Sequence, residues 1–314
     1  INVAKMDVTA RVKLGGSGLG GMVVNEQETR LYTGNATNGV DELDISLAQP
    51  KVLRTLKLPA GAAGAPYPAG LALDDTFVYV AANRSNAIHA FDLETGQVAW
   101  TAATSPAPVG IRKIGNKLWV SCWGQTPVSN DRSADSSKTK VAVDIRGIST
   151  GGAIETFALP SGGEKAAIRL TVTPVPAQPT EMIALADGGP VAVACADGDQ
   201  IMRVSASGDW KVLWNAGRHE APTAMIELPD NRVAVTLGGA NKVVVLNKTT
   251  WTPEVEYATG WYPLAVAGTR NSLAVVSSKG LGSRGRDIDT SMYRGIAKSE
   301  PLRVNVNPDE RVRR

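Results

Sequence analysis

A short β-rich segment recurs six times along the chain, and this repeat constrains the fold more than any other feature. The copies begin at Leu31, Val78, Leu118, Val191, Val233 and Leu273. A proline opens another apolar stretch before five of the copies, at Pro68, Pro108, Pro179, Pro222 and Pro263, and Gly21 takes that place in the first. Successive prolines are 40, 71, 43 and 41 residues apart, so the repeating unit has about forty residues.

Each unit has room for four short strands. The recurring segment is followed by an alternating strand, as at residues 87–93 and 242–247, and then by a last strand, as at residues 97–100. Gly and Pro are frequent, with 32 and 18 copies, which is typical of short strands separated by turns. Four antiparallel strands per unit predict an all-β fold, a β-propeller with four-stranded blades that forms a single domain over residues 1–314.

Two stretches depart from the regular period. The third unit carries about thirty extra residues, and we expect a surface insertion near residues 125–140. The last unit contains a long loop at residues 279–300, after which residues 302–306 have the pattern of a further strand.

The sequence leaves the number of blades open. Residues 2–15 have the pattern of a third and a fourth strand, at residues 2–7 and 10–14, whose first two strands are missing upstream. Six blades result if this pair completes the sixth unit. Seven result if the missing half blade comes from residues or a chain outside this sequence, because an open sheet edge would otherwise aggregate.

The repeats resemble a known family. The turn at residues 92–96 resembles the YVTN and YncE type of bacterial extracytoplasmic propeller repeat. The GWYP segment that ends at Pro263, with the KGLGS segment at residues 279–283, is similar to the last propeller repeat of bacterial phosphoesterase-family proteins, and residues 120–124 resemble their middle repeats. This resemblance implies seven blades and a periplasmic or secreted location.

Members of that family join the propeller to a downstream metal-dependent phosphoesterase domain. This sequence has no counterpart of the catalytic domain, so no catalytic residue and no metal ligand carries over from it. The resemblance also implies that the 279–300 loop leads toward a neighbouring domain, which makes the loop a candidate interaction surface.

The residues themselves give little sign of catalysis. The two histidines, His89 in a strand and His219 in a turn, fall in different repeats, whereas a zinc site needs three or four converging ligands. We therefore predict no metal and no cofactor. Cys122 and Cys195 occupy equivalent places in consecutive units, and buried thiols are favoured over a disulfide because packed sheets lie about 10 Å apart. Residues 197–199 have the pattern of a tight turn, although their carboxylates also share the spacing of a calcium loop.

Aromatic and basic residues supply the candidate binding site. Seven tryptophans is a large number beside three phenylalanines, and some of them are expected at a binding face, although packing between blades is the alternative. The candidate residues are Trp119, Trp123, Trp261 and Tyr262, together with Lys279, Arg284 and Arg286 of the long loop.

Three functions are compatible with these features. The first is a noncatalytic extracytoplasmic propeller that acts as a binding or scaffolding subunit, with another protein chain or domain as partner, which would also be the source of a missing half blade. The second is the propeller part of a larger metal-dependent phosphoesterase-like or lactonase enzyme. The third is single-stranded nucleic-acid binding, which the dispersed charge and the small net charge of +3 disfavour. No apolar stretch predicts a transmembrane helix.

Overall fold

The computed structural model describes residues 9–14, 21–35, 38–61, 64–125, 132–136, 138–161, 164–269, 272–278 and 302–305. The described residues contain strands and turns but no helix, and therefore no helix that is long and apolar enough to cross a membrane. Their contacts divide the chain into two compact units. The first runs to Pro174 and includes the turns at residues 187–189 and 206–208, and the second holds the remainder.

Three four-stranded antiparallel sheets form the first unit, and the strands of each sheet are hydrogen-bonded to one another in chain order. Sheet I contains β1 (Met22–Val24), β2 (Arg30–Asn35), β3 (Gly39–Asp44) and β4 (Lys51–Lys57), and sheet II contains β5 (Pro68–Leu73), β6 (Phe77–Ala82), β7 (Ala87–Asp92) and β8 (Val98–Ala103). Sheet III contains β9 (Pro108–Ile114), β10 (Lys117–Cys122), β13 (Gly152–Ala158) and β14 (Ile168–Val175), whereas β11 (Ser133–Ser136) and β12 (Thr139–Ala142) form a separate hairpin.

The second unit repeats this plan. Sheet IV contains β15 (Pro179–Ala184), β16 (Val191–Cys195), β17 (Gln200–Val204) and β18 (Trp210–Asn215), and sheet V contains β19 (Pro222–Leu228), β20 (Arg232–Leu237), β21 (Lys242–Asn247) and β22 (Pro253–Ala258). Sheet VI has three described strands, β23 (Pro263–Thr269), β24 (Ser272–Ser277) and β25 (Leu302–Asn305).

The sequence repeat therefore corresponds to one sheet, and each recurring segment forms the second strand of its sheet. Within the units, the first strand of a sheet lies beside the first strand of the next, as β5 does beside β9 and β19 beside β23. A glycine makes one such approach possible, because a Cβ atom on Gly70 would lie 2.5 Å from the carbonyl oxygen of Val109. Repeated antiparallel sheets in this arrangement are consistent with the predicted propeller-like fold.

Alternating side chains form the core between neighbouring sheets. In the second unit Val233, Val235 and Leu237 of β20 are buried together with Ile201 of sheet IV and Leu246 of sheet V. Full burial of each such side chain contributes about 1.5–3 kcal/mol. The strand period of two thus gives each sheet an apolar face toward its neighbour, which a single sheet would leave exposed.

The predicted insertion contains structure of its own. Strands β11 and β12 form a hairpin within it, and the buried Val141 and Val143 pack with Ala107 and Trp123. The insertion therefore contains a hairpin, and apolar residues at the end of this hairpin pack on residues that flank β9 and β10.

The strands predicted near the two ends of the sequence have different outcomes in the structure. Residues 10–14, predicted as a strand, lie outside any strand, and the side chain of Gln49 donates a hydrogen bond to the carbonyl of Arg11 at 3.1 Å. The strand expected at residues 302–306 is confirmed, since β25 pairs antiparallel with β24. The 279–300 loop and residues 2–8 lie outside the described residues.

Candidate functional site

Sheets II to VI share one backbone structure at the end where their first strand begins. We call this end of a sheet the proline end. The residue before each opening proline has a positive φ of 52° to 58°, at Tyr67, Ala107, Gln178, Ala221 and Tyr262. Its carbonyl accepts a hydrogen bond of 2.8 to 3.0 Å from the residue that follows the second strand, at Asn83, Trp123, Ala196, Gly238 and Ser278. Because a left-handed backbone costs about 1–2 kcal/mol for residues other than glycine, these hydrogen bonds offset a local strain.

A second contact links neighbouring sheets at the proline end. Asn86, Asp199 and Asn241 end the turn between the second and third strands of their sheets, each with a positive φ. Their side-chain oxygens accept hydrogen bonds from the backbone N–H of Ala107, Ala221 and Tyr262 at 2.9, 2.9 and 2.8 Å. We call this contact the Asx clasp. Asn and Asp suit it because they tolerate the left-handed conformation and carry an acceptor close to the backbone.

The clasp of Asn241 holds an exposed aromatic surface. Trp261 and Tyr262, which we call the aromatic patch, have exposed fractions of 46% and 37%. The ring of Tyr262 lies against Gly238, since a Cβ atom on that glycine would be 3.2 Å from the ring carbons. The N–H of Tyr262 donates a hydrogen bond to Asn241, and its carbonyl accepts one from Ser278. These two hydrogen bonds fix the backbone that carries the Tyr262 ring.

Charged groups of sheet V and of the turn before it lie at the same proline end. Lys242 pairs with Glu220 at 2.9 Å and with Glu256 at 3.2 Å. Burial lowers the pKa of Lys242, but its hydrogen bonds to both carboxylates outweigh this and leave the pKa raised. Lys242 therefore stays cationic, and its charge is compensated locally.

The turn at residues 197–199 is a structural element. Asp199 accepts hydrogen bonds from the N–H groups of His219 and Ala221 through its two carboxylate oxygens, so it fastens the next first strand. Desolvation, with a smaller contribution from the charge of Asp199, raises the pKa of Asp197. Among the described residues no group of three or more His, Cys, Asp or Glu side chains is placed to hold a metal ion.

His89 and the two cysteines are closed to solvent and engaged in packing, whereas His219 is exposed. His89 is buried in β7, its Nδ1 lies 2.9 Å from the hydroxyl of Thr101, and desolvation lowers its pKa to about 4. Cys122 and Cys195 are buried free thiols whose pKa burial raises. His219 lies exposed in the turn before Pro222, where the sequence placed it.

One buried carboxylate is fully satisfied. Glu155 accepts hydrogen bonds from the N–H and the hydroxyl of Ser105 at 3.1 and 2.8 Å, and from Arg169 at 3.1 Å. Its side chain has no exposed surface, so this cluster fastens sheet III and offers no access to a ligand.

The predicted site residues divide into three groups. Trp261 and Tyr262 are exposed side by side, as a binding face requires. Trp119 is completely buried in β10 and Trp123 packs against the hairpin, so for these two the packing alternative describes the structure. Lys279, Arg284 and Arg286 lie outside the described residues.

Sequence reasoning missed the Asx clasp. The clasp did leave a signal in the sequence. Each residue that precedes Pro108, Pro222 or Pro263 has an Asn or Asp 21 or 22 residues upstream.

The chain was compared with known proteins. It matches no model of a protein family, and no curated protein matches it. The resemblance to YVTN and YncE repeats and to the phosphoesterase-family propeller stays a prediction.

Proposed function

We propose that this protein is a noncatalytic β-propeller that acts as a binding or scaffolding subunit and recognises another protein chain through the aromatic patch. The observation that carries this proposal is the exposure of Trp261 and Tyr262, with the backbone of Tyr262 fixed by two hydrogen bonds. Aromatic side chains on a rigid surface dominate the energy of protein interfaces, because they bury a large area at a small cost in conformational entropy.

The remaining parts of the proposal depend on the sequence. A single propeller domain of seven sheets and a periplasmic or secreted location are what the resemblance implies. Apolar side chains on two sheet faces support an additional sheet, since in the described part of the chain Val276 of sheet VI is 44% exposed and Val24 of sheet I is 45% exposed. Such faces are normally covered.

The aromatic patch is tested by capture of a partner from a periplasmic or secreted extract of the source organism. Purified wild-type protein is compared with the double variant Trp261→Ala, Tyr262→Ala, and bound chains are identified and quantified by mass spectrometry. We expect a partner whose recovery falls tenfold or more with the double variant, a loss of about 1.4 kcal/mol or more in binding free energy. Matched melting temperatures confirm that the variants are folded.

Trp210→Ala is the matched control. This tryptophan is 56% exposed but belongs to β18, the outer strand of sheet IV, so its removal should leave recovery of the partner unchanged. A partner that the double variant retains in full would contradict the proposed surface. Turnover of phosphate esters or lactones by the purified chain would favour the enzyme alternative.

A further inference from the structure

A cleft of about 470 Å³ lies between sheets IV and V at the end opposite the proline end, and its lining contains three basic side chains. Arg203 and Lys211 come from β17 and β18 of sheet IV. Lys248 comes from the turn between β21 and β22 of sheet V. The volume is in the range that small-molecule sites occupy.

Two of these charges have no structural explanation. Arg203 and Lys211 are directly opposite in the register of β17 and β18, and neither forms an ion pair with a carboxylate of the described residues. Like charges in this position repel and destabilise a sheet. Lys248, by contrast, is compensated by Glu227 at 2.7 Å.

The turn of sheet V brings ordered polar groups to the same cleft. The N–H groups of Thr249 and Thr250 donate to the side-chain oxygen of Asn247 at 2.9 and 3.1 Å, and Asn231 donates to the hydroxyl of Thr249 at 2.7 Å. The two threonines and Asn231 line the cleft. These contacts hold the turn in one conformation, so this side of the cleft has a fixed shape.

One wall of the cleft is apolar. Leu185, Leu213 and Trp251 line it and pack in the core between sheets IV and V, and Trp251 is only 6% exposed. The cleft thus combines uncompensated positive charge with an apolar wall, as expected for a ligand with an acidic group and a carbon skeleton.

We propose that this cleft binds a small organic anion whose acidic group lies between Arg203 and Lys211. The planar guanidinium of arginine suits a phosphate or carboxylate because it donates two parallel hydrogen bonds, and the neighbouring ammonium adds a second charge. The carbon part of the ligand contacts Leu185, Leu213 and Trp251. This site is separate from the aromatic patch, which lies at the other end of the sheets.

The test measures thermal unfolding of the full chain in inorganic phosphate, a sugar phosphate or a dicarboxylate, each against chloride at equal ionic strength. A ligand that binds only the folded protein raises the melting temperature with concentration, which yields a dissociation constant. We expect the sugar phosphate or the dicarboxylate to bind about tenfold or more tightly than inorganic phosphate, because only the organic anions contact the apolar wall. Whichever of the two binds identifies the acidic group.

The variants Arg203→Gln and Lys211→Gln should each weaken binding about ten- to hundredfold, the usual effect of losing a hydrogen bond to a charged group. In chloride both variants should melt at or above the wild-type temperature, because each removes a repulsion between like charges. Arg218→Gln is the control, since it removes one exposed positive charge outside the cleft and should leave the dissociation constant unchanged.

Two results would overturn the proposal. One is the absence of any shift with all three anions. The other is an equal loss of affinity in Arg203→Gln, Lys211→Gln and Arg218→Gln, which would mean that the anions only screen the net charge of the surface.

Discussion

At the scale of single residues, the protonation of the buried His89 is coupled to folding in the acidic range. This histidine is buried in β7 and its pKa falls from 6.5 to about 4 because burial penalises the charged imidazolium. Between these two values the unfolded chain binds a proton that the folded chain does not. Stability from this residue is therefore complete above pH 6.5 and is lost as the pH falls toward 4.

We expect the free energy of unfolding to fall by about 3 kcal/mol through His89 alone over that pH range, since each unit of pKa difference corresponds to about 1.4 kcal/mol. The variant His89→Gln should lack this component and show a correspondingly shallower dependence on pH. Urea unfolding at several pH values between 4 and 6.5 measures both slopes.

The only other histidine provides the control. His219 is exposed in its turn, so His219→Gln controls for the loss of a histidine side chain outside the core. Equal slopes for His89→Gln and the wild type would show that burial of His89 does not govern stability in this range.

Residue environments were the least predictable part of the structure from sequence. Trp119 and Trp261 were equal candidates for a binding face, yet one is completely buried and the other nearly half exposed. The difference depends on whether a neighbouring element covers that face of the strand, and the local sequence around a tryptophan carries no such information. The charge pair Arg203 and Lys211 was missed for a similar reason, because cross-strand register becomes visible only in the folded sheet.

At the scale of strands and turns, the sequence was far more informative. Prolines at a period of about forty residues correctly identified the first strand of sheets II to VI, since proline fits where a strand begins and needs no N–H partner. Residues 10–14 were predicted as a strand from alternation alone, and they form none. Alternation of apolar and polar residues over so short a stretch is weak evidence for a strand when no partner strand can be named.

The Asx clasp makes a quantitative prediction at this scale. Asn241 has a φ of 54° and accepts the N–H of Tyr262 at 2.8 Å. Asn241→Gly loses the hydrogen bond but keeps the backbone relaxed, so we expect a loss of about 1 kcal/mol. Asn241→Ala should cost a further 1–2 kcal/mol or so, because alanine is strained in the left-handed region. Chemical denaturation of both variants gives the two values.

Asn215 at the end of β18 is the matched control for the expected order at Asn241, in which alanine destabilises more than glycine. It also accepts a side-chain hydrogen bond, from Gln200 at 2.9 Å, but it lies in a strand. There glycine should cost more than alanine, because glycine loses more conformational freedom on folding. If alanine and glycine at Asn241 had equal effects, the left-handed conformation would not be what selects asparagine in the clasp.

At the scale of the whole molecule, the repeat predicted the kind of fold but not the number of sheets. Local patterns specify strands and turns within one unit, whereas the count depends on which sheet faces are covered. Val24 of sheet I and Val276 of sheet VI remain 45% and 44% exposed, on faces turned away from their neighbouring sheets II and V. The proposed seventh sheet would cover such faces.

The variants Val24→Lys and Val276→Lys test this proposal in the protein purified from its native source. If a further sheet packs on these faces, each variant should lower the free energy of unfolding by about 2 kcal/mol or more, because it removes a buried apolar side chain and desolvates a charge. The measurement is denaturant unfolding of each variant beside the wild type. Val172→Lys on the outer strand β14 is the control, since Val172 is 42% exposed and an added sheet would leave it so. Losses below about 0.5 kcal/mol for all three variants would mean that the faces of Val24 and Val276 stay open to solvent and that the seventh sheet does not exist.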